Sequence, residues 1–212
     1  MSHDQHDMPE RIWALPRNKA GYPVPWFVAT VDGEPDFRVI RPGGVQLALY
    51  NRLCWVCGTP LIPSEGVTYV IGSMCAVNRV SSEPPSHRAC AVYAAQRCPF
   101  LANPHMRRRT TTLPDGRVSP AGQMLERNPG VALVWRTDRI VVMSVDNGVL
   151  FNVGEPLEVL WFAEGRQASR SEVLASIGSG LPLLEAEARK EGKAALAHLA
   201  RLHEQALTYL PT

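Results

Sequence analysis

The spacing of apolar positions changes period several times along this chain. Val24 to Val31 and Phe37 to Ile40 read as two strands around Asp32-Gly33, a pair suited to a tight turn with positive φ. Pro42-Gly43-Gly44 then opens a short helix to about Arg52, carrying Val45, Leu47, Leu49 and Tyr50. Thr68 to Ile71 is strand-like. An Ala-rich helix is predicted from Ala89 to Arg97, with Ser86 as its N-cap and Pro99 as its stop. Residues 101–130 read as a loop, with a short helix over Pro120 to Arg127. From Val131 the pattern becomes that of strands: Val131–Trp135, Ile140–Ser144, Val149–Val153 and Leu157–Phe162. Asn147-Gly148 is a hairpin signal, so an antiparallel meander is expected. Trp26, Trp135 and Trp161 fall within predicted strands and are expected in the core.

A helical period returns at the C-terminal end. Ser169 and Glu172 form a capping box opening a helix to Ile177, which Gly178-Ser179-Gly180 is expected to break. Pro182 suits the first turn of a further helix. The last helix runs from about Lys193 to Leu210, with Leu196, Leu199, His203, Ala206, Leu207 and Leu210 on one stripe. The fold class is therefore α+β: a polar, mostly extended segment (1–20), an α+β core (21–165), and C-terminal helices (166–212) packed on that core.

Composition adds limits. The 212 residues are 45% hydrophobic, enough for a sizeable core. A net charge of +2 gives no strong field toward nucleic acid or an anionic membrane. Nineteen Arg against three Lys is most simply the mark of a GC-rich coding sequence. The start, Met1 to Asp7, has no apolar run, and no stretch approaches the roughly 18 apolar residues of a membrane span. His3, Asp4, His6 and Asp7 read as a solvated tail. A cytoplasmic protein with reduced thiols is expected, so five cysteines point to metal or chemistry rather than to disulfides.

The chemistry concentrates in Cys54-Trp-Val-Cys57-Gly58 and His87-Arg-Ala-Cys90. Two Cys three apart in a turn ending in Gly converge on one point, and Gly58 is expected to let backbone N–H groups approach the sulfurs. His87 and Cys90 lie one helical turn apart at a predicted helix start, where the helix dipole favours thiolate. Cys54, Cys57, His87 and Cys90 are the donor set of a structural Zn²⁺. The rival readings are reduced core cysteines and a rubredoxin-like iron site in which Cys75 replaces His87. Cys75 is otherwise expected to be a neutral thiol near the metal-bearing segment, and Cys98 to pack in the core. Asn78, Arg79, Ser82 and Glu83 form a candidate recognition loop or, equally, a helix-capping one. Arg107, Arg108 and Arg109 read as a solvated loop or a phosphate contact, and with Arg79 and Arg88 could make a basic patch for nucleic acid. His105, His198 and His203 have no partners in sequence.

The order of C-x-x-C-G turn, hairpin and helix bearing two ligands resembles the treble-clef zinc finger over about residues 53–98. On the wider chain, Arg52-Leu-Cys-Trp-Val-Cys-Gly, Ser82-Glu-Pro-Pro-Ser-His-Arg-Ala-Cys and Arg97-Cys-Pro-Phe-Leu resemble a group of uncharacterised proteins from GC-rich bacteria and their phages. That similarity extends into residues 127–135 and 179–184. It implies a phage or mobile-element setting and no catalytic residues.

The leading expectation is a zinc-stabilised binding protein with a macromolecular partner, protein favoured over nucleic acid because the net charge is low. The alternative is a small enzyme using an open zinc site or the Cys75 thiol. The H-E-x-x-H and H-x-E…P-C-x-x-C patterns, the P-loop, the dinucleotide fingerprint and the G-x-S-x-G elbow are all absent. Residues 58–86 also lack the histidine that an HNH nuclease would need in its hairpin.

Overall fold

The structure is a computed structural model describing residues 8–107, 121, 128 and 130–212. The expected extended start contains a helical turn, α1 (Glu10–Trp13), because Ile12 reaches the main core, where it is fully enclosed. His3, Asp4, His6 and Asp7 lie outside the described residues. Strands β1 (Val28–Val31) and β2 (Glu34–Ile40) form the predicted hairpin, with Asp32 and Gly33 at φ of 50° and 81°. Helix α2 (Gly44–Tyr50) then delivers the chain to Cys54.

The next stretch holds β3 (Val67–Gly72), α3 (Ser73–Asn78), β4 (Val80–Ser81), α4 (Arg88–Arg97) and α5 (Pro99–Ala102). It is followed by β5 (Ala132–Thr137), β6 (Val141–Val145), β7 (Gly148–Asn152), β8 (Glu158–Ala163) and β9 (Arg166–Gln167). Helices α6 (Arg170–Glu191) and α7 (Lys193–Leu207) close the described chain. The helix predicted over Pro120 to Arg127 falls outside the described residues, apart from buried Ala121.

The four later strands do not form a simple meander. Strand β5 pairs antiparallel with β3 on one side and β8 on the other, giving the order β3-β5-β8-β9. The β6–β7 hairpin leaves that sheet and joins β4 in a second one, ordered β4-β7-β6. The physical reason lies in burial. Strand β5 is enclosed on both faces and needs a neighbour along each edge, whereas Val141, Val142 and Val145 of β6 are exposed. The Trp135 indole N–H donates to the Val153 carbonyl at 3.1 Å, tying the end of the hairpin beneath β5.

Helix α4 covers one face of the larger sheet through Ala91 and Ala95, whose small side chains admit Val134 and Phe162. The other face, with Tyr69, Ile71, Leu133, Trp135 and Trp161, meets Val173, Ile177, Leu199 and Ala206 of the C-terminal helices in the main core. Trp135 and Trp161 are core residues as expected, while half-buried Trp26 precedes β1 and packs against Trp55. The α7 stripe is also as expected, with Leu199 and Ala206 buried.

Helix α6 overturns the predicted break. The capping box is present, with the Ser169 N–H donating to Glu172, but the helix runs unbroken through Gly178, Gly180 and Pro182. Gly180 is there for proximity: a Cβ on it would lie 2.3 Å from Met74 Sδ of α3. Packing of α3 on α6 therefore outweighs the poor helix propensity of this stretch. Pro182 has no N–H for the Gly178 carbonyl, and Gly178 is solvent-exposed, where water can satisfy that group. Among the described residues, no helix is long and apolar enough to cross a membrane.

Candidate metal centre

The Cys54 knuckle is built by its own backbone. The Cys54 N–H donates to the Thr59 carbonyl at 2.8 Å, and the Gly58 N–H donates to the Cys54 carbonyl at 2.8 Å. Gly58 has φ of 72°, and a Cβ on it would meet Trp26 Cδ1 at 2.4 Å. Its expected role of opening N–H groups to sulfur is thus corrected: glycine is needed for the left-handed turn and for the indole lying on it. The N–H groups that do reach Cys54 Sγ are those of Cys57 and His87, each at 3.4 Å.

Two further contacts bring the second ligand pair to the knuckle. The Trp55 N–H donates to the Pro85 carbonyl at 3.0 Å, and Ser86 exchanges backbone hydrogen bonds with Thr68 of β3 at 2.7 and 3.0 Å. Ser86 is consequently bridged to a strand rather than capping α4; the N-cap is His87, with no side-chain cap bond. Cys90 occupies the first turn of α4, so the positive end of that helix faces the sulfurs.

One ligand atom from each of Cys54, Cys57, His87 and Cys90 lies within 4.8 Å of every other. The four residues are 0%, 7%, 5% and 0% exposed. His87 Nδ1 lies 3.4 Å from Cys57 Sγ, while its Nε2 lies 3.0 Å from the Pro60 carbonyl. The Thr59 hydroxyl lies 3.2 Å from Cys57 Sγ. Three soft sulfurs and one imidazole nitrogen are close enough to hold one metal ion, and the donor set is consistent with zinc.

The thiols of Cys54 and Cys90 are driven in opposite directions. Burial opposes ionisation of Cys54, yet hydrogen bonds from the Cys57 and Cys90 thiols and from two backbone N–H groups bring it far below the ordinary thiol range. Cys90 is pushed the opposite way by its hydrogen bonds to the other two sulfurs, by burial and by the charge on Cys54. A dication held here would supply the positive charge that stabilises adjacent thiolates.

The remaining sequence candidates separate into several places. Cys75 sits on α3, outside the cluster, and burial pushes its thiol up to about 11; a Gly72 backbone hydrogen bond lowers it and the Glu83 charge raises it. Cys98 lies half-buried between α4 and α5. Arg79 is no surface reader: it is 5% exposed, in the left-handed region at φ 62°, with its guanidinium 4.5 Å from the Trp135 ring and 5.2 Å from the Tyr209 ring. Its Nη2 lies 3.9 Å from Glu155. The Asn78 side chain accepts from the Val80 N–H at 3.0 Å, a local loop brace. Ser82 and Glu83 are half-buried, and the Glu83 backbone is held by the Ser81 hydroxyl.

Arg88 makes a two-pronged ion pair with Glu158, both contacts at 2.7 Å, which holds that carboxyl below its usual range against the effect of burial. Arg79 and Arg88 therefore do not join a basic patch. Arg107 is exposed, and Arg108 and Arg109 lie outside the described residues. His105 and His198 are exposed on a loop and on α7, and half-buried His203 lines the groove between α6 and α7 with Leu181 and Leu199. The Pro60 carbonyl, the Thr59 hydroxyl and the Trp26 cover escape a reading of motif spacing; only the proximity of Thr59 to Gly58 in sequence pointed toward any of them.

The stretch between the ligand pairs differs from the treble-clef pattern. Strands β3 and β4 belong to separate sheets, joined by α3, so they do not form the local hairpin of that finger. Comparison of the chain with protein-family models, with curated proteins and with solved structures finds no match.

Proposed function

We propose that this chain is a zinc-stabilised binding protein that engages a protein partner. The observation that carries the reading is the enclosure of Cys54, Cys57, His87 and Cys90. Four buried ligands complete a tetrahedral shell and leave no position for water or substrate, the arrangement of a structural ion rather than a catalytic one. Such an ion fixes the knuckle, the 84–87 segment and the start of α4 as one rigid unit. The burial of Arg79 and the pairing of Arg88 with Glu158 favour a protein over nucleic acid as partner. The resemblance of the motif phrases to phage and bacterial proteins supports a mobile-element setting.

Metal analysis of protein purified without added metal tests the ion: one zinc per chain is expected, and iron, or a folded chain without metal, overturns it. Cys54→Ser should lose the zinc, whereas Cys98→Ala should keep it at a cost of about 1 kcal/mol of packing. Capture of a partner from the native host by wild-type protein, lost with Cys54→Ser, tests the binding role. A shift of nucleic acid at physiological salt without protein capture would reverse the choice of partner.

A further inference from the structure

Helix α2 is tied to the metal-bearing knuckle through the backbone. The Leu53 N–H donates to the Ala48 carbonyl at 2.9 Å, and the Leu61 N–H donates to the Arg52 carbonyl at 2.7 Å. Gly44 and Ala48 are buried, which fixes the side that α2 turns toward the protein. The opposite side carries Leu47 and Tyr50, one turn apart and 46% and 89% exposed. A tyrosine so open to water adds almost nothing to the core, and Tyr and Arg are the residue types that most often anchor protein interfaces. Charge here has one sign. Between Asp36 and Glu65 the chain carries Arg38, Arg41 and Arg52 and no acidic residue. Arg38 is engaged by Asp36, but among the described residues no carboxylate lies within ion-pair distance of Arg41 or Arg52. Arg41 stacks on Trp26 at 4.7 Å, and its stem occupies the space that a Cβ on Gly44 would need, at the start of α2. Arg52 is exposed just past the other end, in the left-handed region at φ 51°. The helix is about 10 Å long, so the two arginines bracket Leu47 and Tyr50.

We propose, resting on the binding role argued above, that the exposed face of α2 is the docking surface and that the partner segment seated on it is acidic. An apolar side chain of that segment packs on Leu47 and Tyr50, and carboxylates on either side of it meet Arg41 and Arg52. Opposite charges select such a segment over a neutral or basic one. Nucleic acid suits the face less well. Two cations neutralise only two phosphates, a small share of what holds a nucleic acid, and aliphatic Leu47 offers a base no ring to stack on. The metal centre adds a second requirement: an ion that fixes the knuckle also fixes the end of α2, and with it Tyr50 and Arg52.

Three labelled probes test this on the full, metal-loaded chain: a peptide with a leucine–tryptophan pair between two aspartate–glutamate pairs, the same peptide with lysine at every acidic position, and a short single-stranded DNA. Fluorescence anisotropy should give the acidic peptide a Kd between about 10 and about 500 µM that weakens as salt rises, with no binding of the lysine peptide. Arg52→Glu and Tyr50→Ala should each weaken the acidic peptide roughly tenfold. Both side chains are exposed, so melting temperatures close to wild type show that the fold is kept. Arg52→Glu should also gain affinity for the lysine peptide, which a merely unfolded variant would not. Leu183→Ala, exposed on α6, should change nothing. No binding of the acidic peptide at about 1 mM, or binding indifferent to Arg52→Glu and Tyr50→Ala alike, overturns the proposal. Tighter binding of the DNA than of the acidic peptide does so too. Any of these results in a chain that carries one zinc strikes the docking face and leaves the metal reading intact, whereas a folded chain without metal strikes the metal reading.

Discussion

His87 Nε2 lies 3.0 Å from the Pro60 carbonyl oxygen, with Nδ1 turned toward Cys57 Sγ. The carbonyl accepts only, so Nε2 carries the proton and donates, leaving the Nδ1 lone pair for the metal. His87→Ala should therefore lower metal affinity at least tenfold, whereas His87→Cys should retain one ion per chain. Cobalt substitution reads this directly, since the visible bands move when nitrogen gives way to a fourth sulfur. Wild-type affinity in His87→Ala would remove His87 from the ligand set.

Arg79 is predicted to act as a core residue. Its guanidinium packs against both Trp135 and Tyr209, which also meet edge to face, so Arg79→Ala should cost about 2–3 kcal/mol in a urea titration through lost packing and ring contacts. Arg79→Met, which keeps the volume and discards a poorly paired buried charge, should cost clearly less. A loss of partner capture with unchanged stability in Arg79→Ala would restore it to the recognition surface.

Two glycines of α6 should respond in opposite directions. A Cβ at Gly178 meets nothing within 4 Å, so Gly178→Ala should stabilise by about 0.5–1 kcal/mol through helix propensity. Gly180→Ala drives a methyl into Met74 and should destabilise, with Met74→Ala in the same chain recovering part of the loss. Equal effects at the two positions would mean that α3 does not press on α6 at Gly180.

Cys75 should alkylate slowly in native protein at neutral pH. Its thiol is raised by burial from 9.0 to about 11, so the folded state disfavours the thiolate. The sign follows: the contribution to stability is complete below pH 9 and is lost as pH climbs toward 11. Melting curves across that window should fall less steeply for Cys75→Ala than for wild type. Rapid, selective labelling of Cys75 at neutral pH would instead argue for the thiol-enzyme reading.

The sequence by itself determined what depends on neighbours along the chain. Cys54, Cys57, His87 and Cys90 were legible because ligand spacing is local: two donors in one turn and two on one helical turn. The same holds for the Asp32-Gly33 hairpin, the Ser169–Glu172 capping box and the α7 stripe, each written in a few consecutive residues. Only the tertiary structure decided which strands become neighbours. Strand β5 took β3 and β8 because a strand buried on both faces must satisfy both of its edges, and periodicity does not say with whom. It also decided that Gly178 to Pro182 stays helical, because α3 from a distant segment packs on α6 there, with Gly180 leaving room for Met74. Arg79 followed the same rule. A charged residue in a polar loop reads as surface, and it became core because two aromatic rings, 56 and 130 residues further along, lie against it.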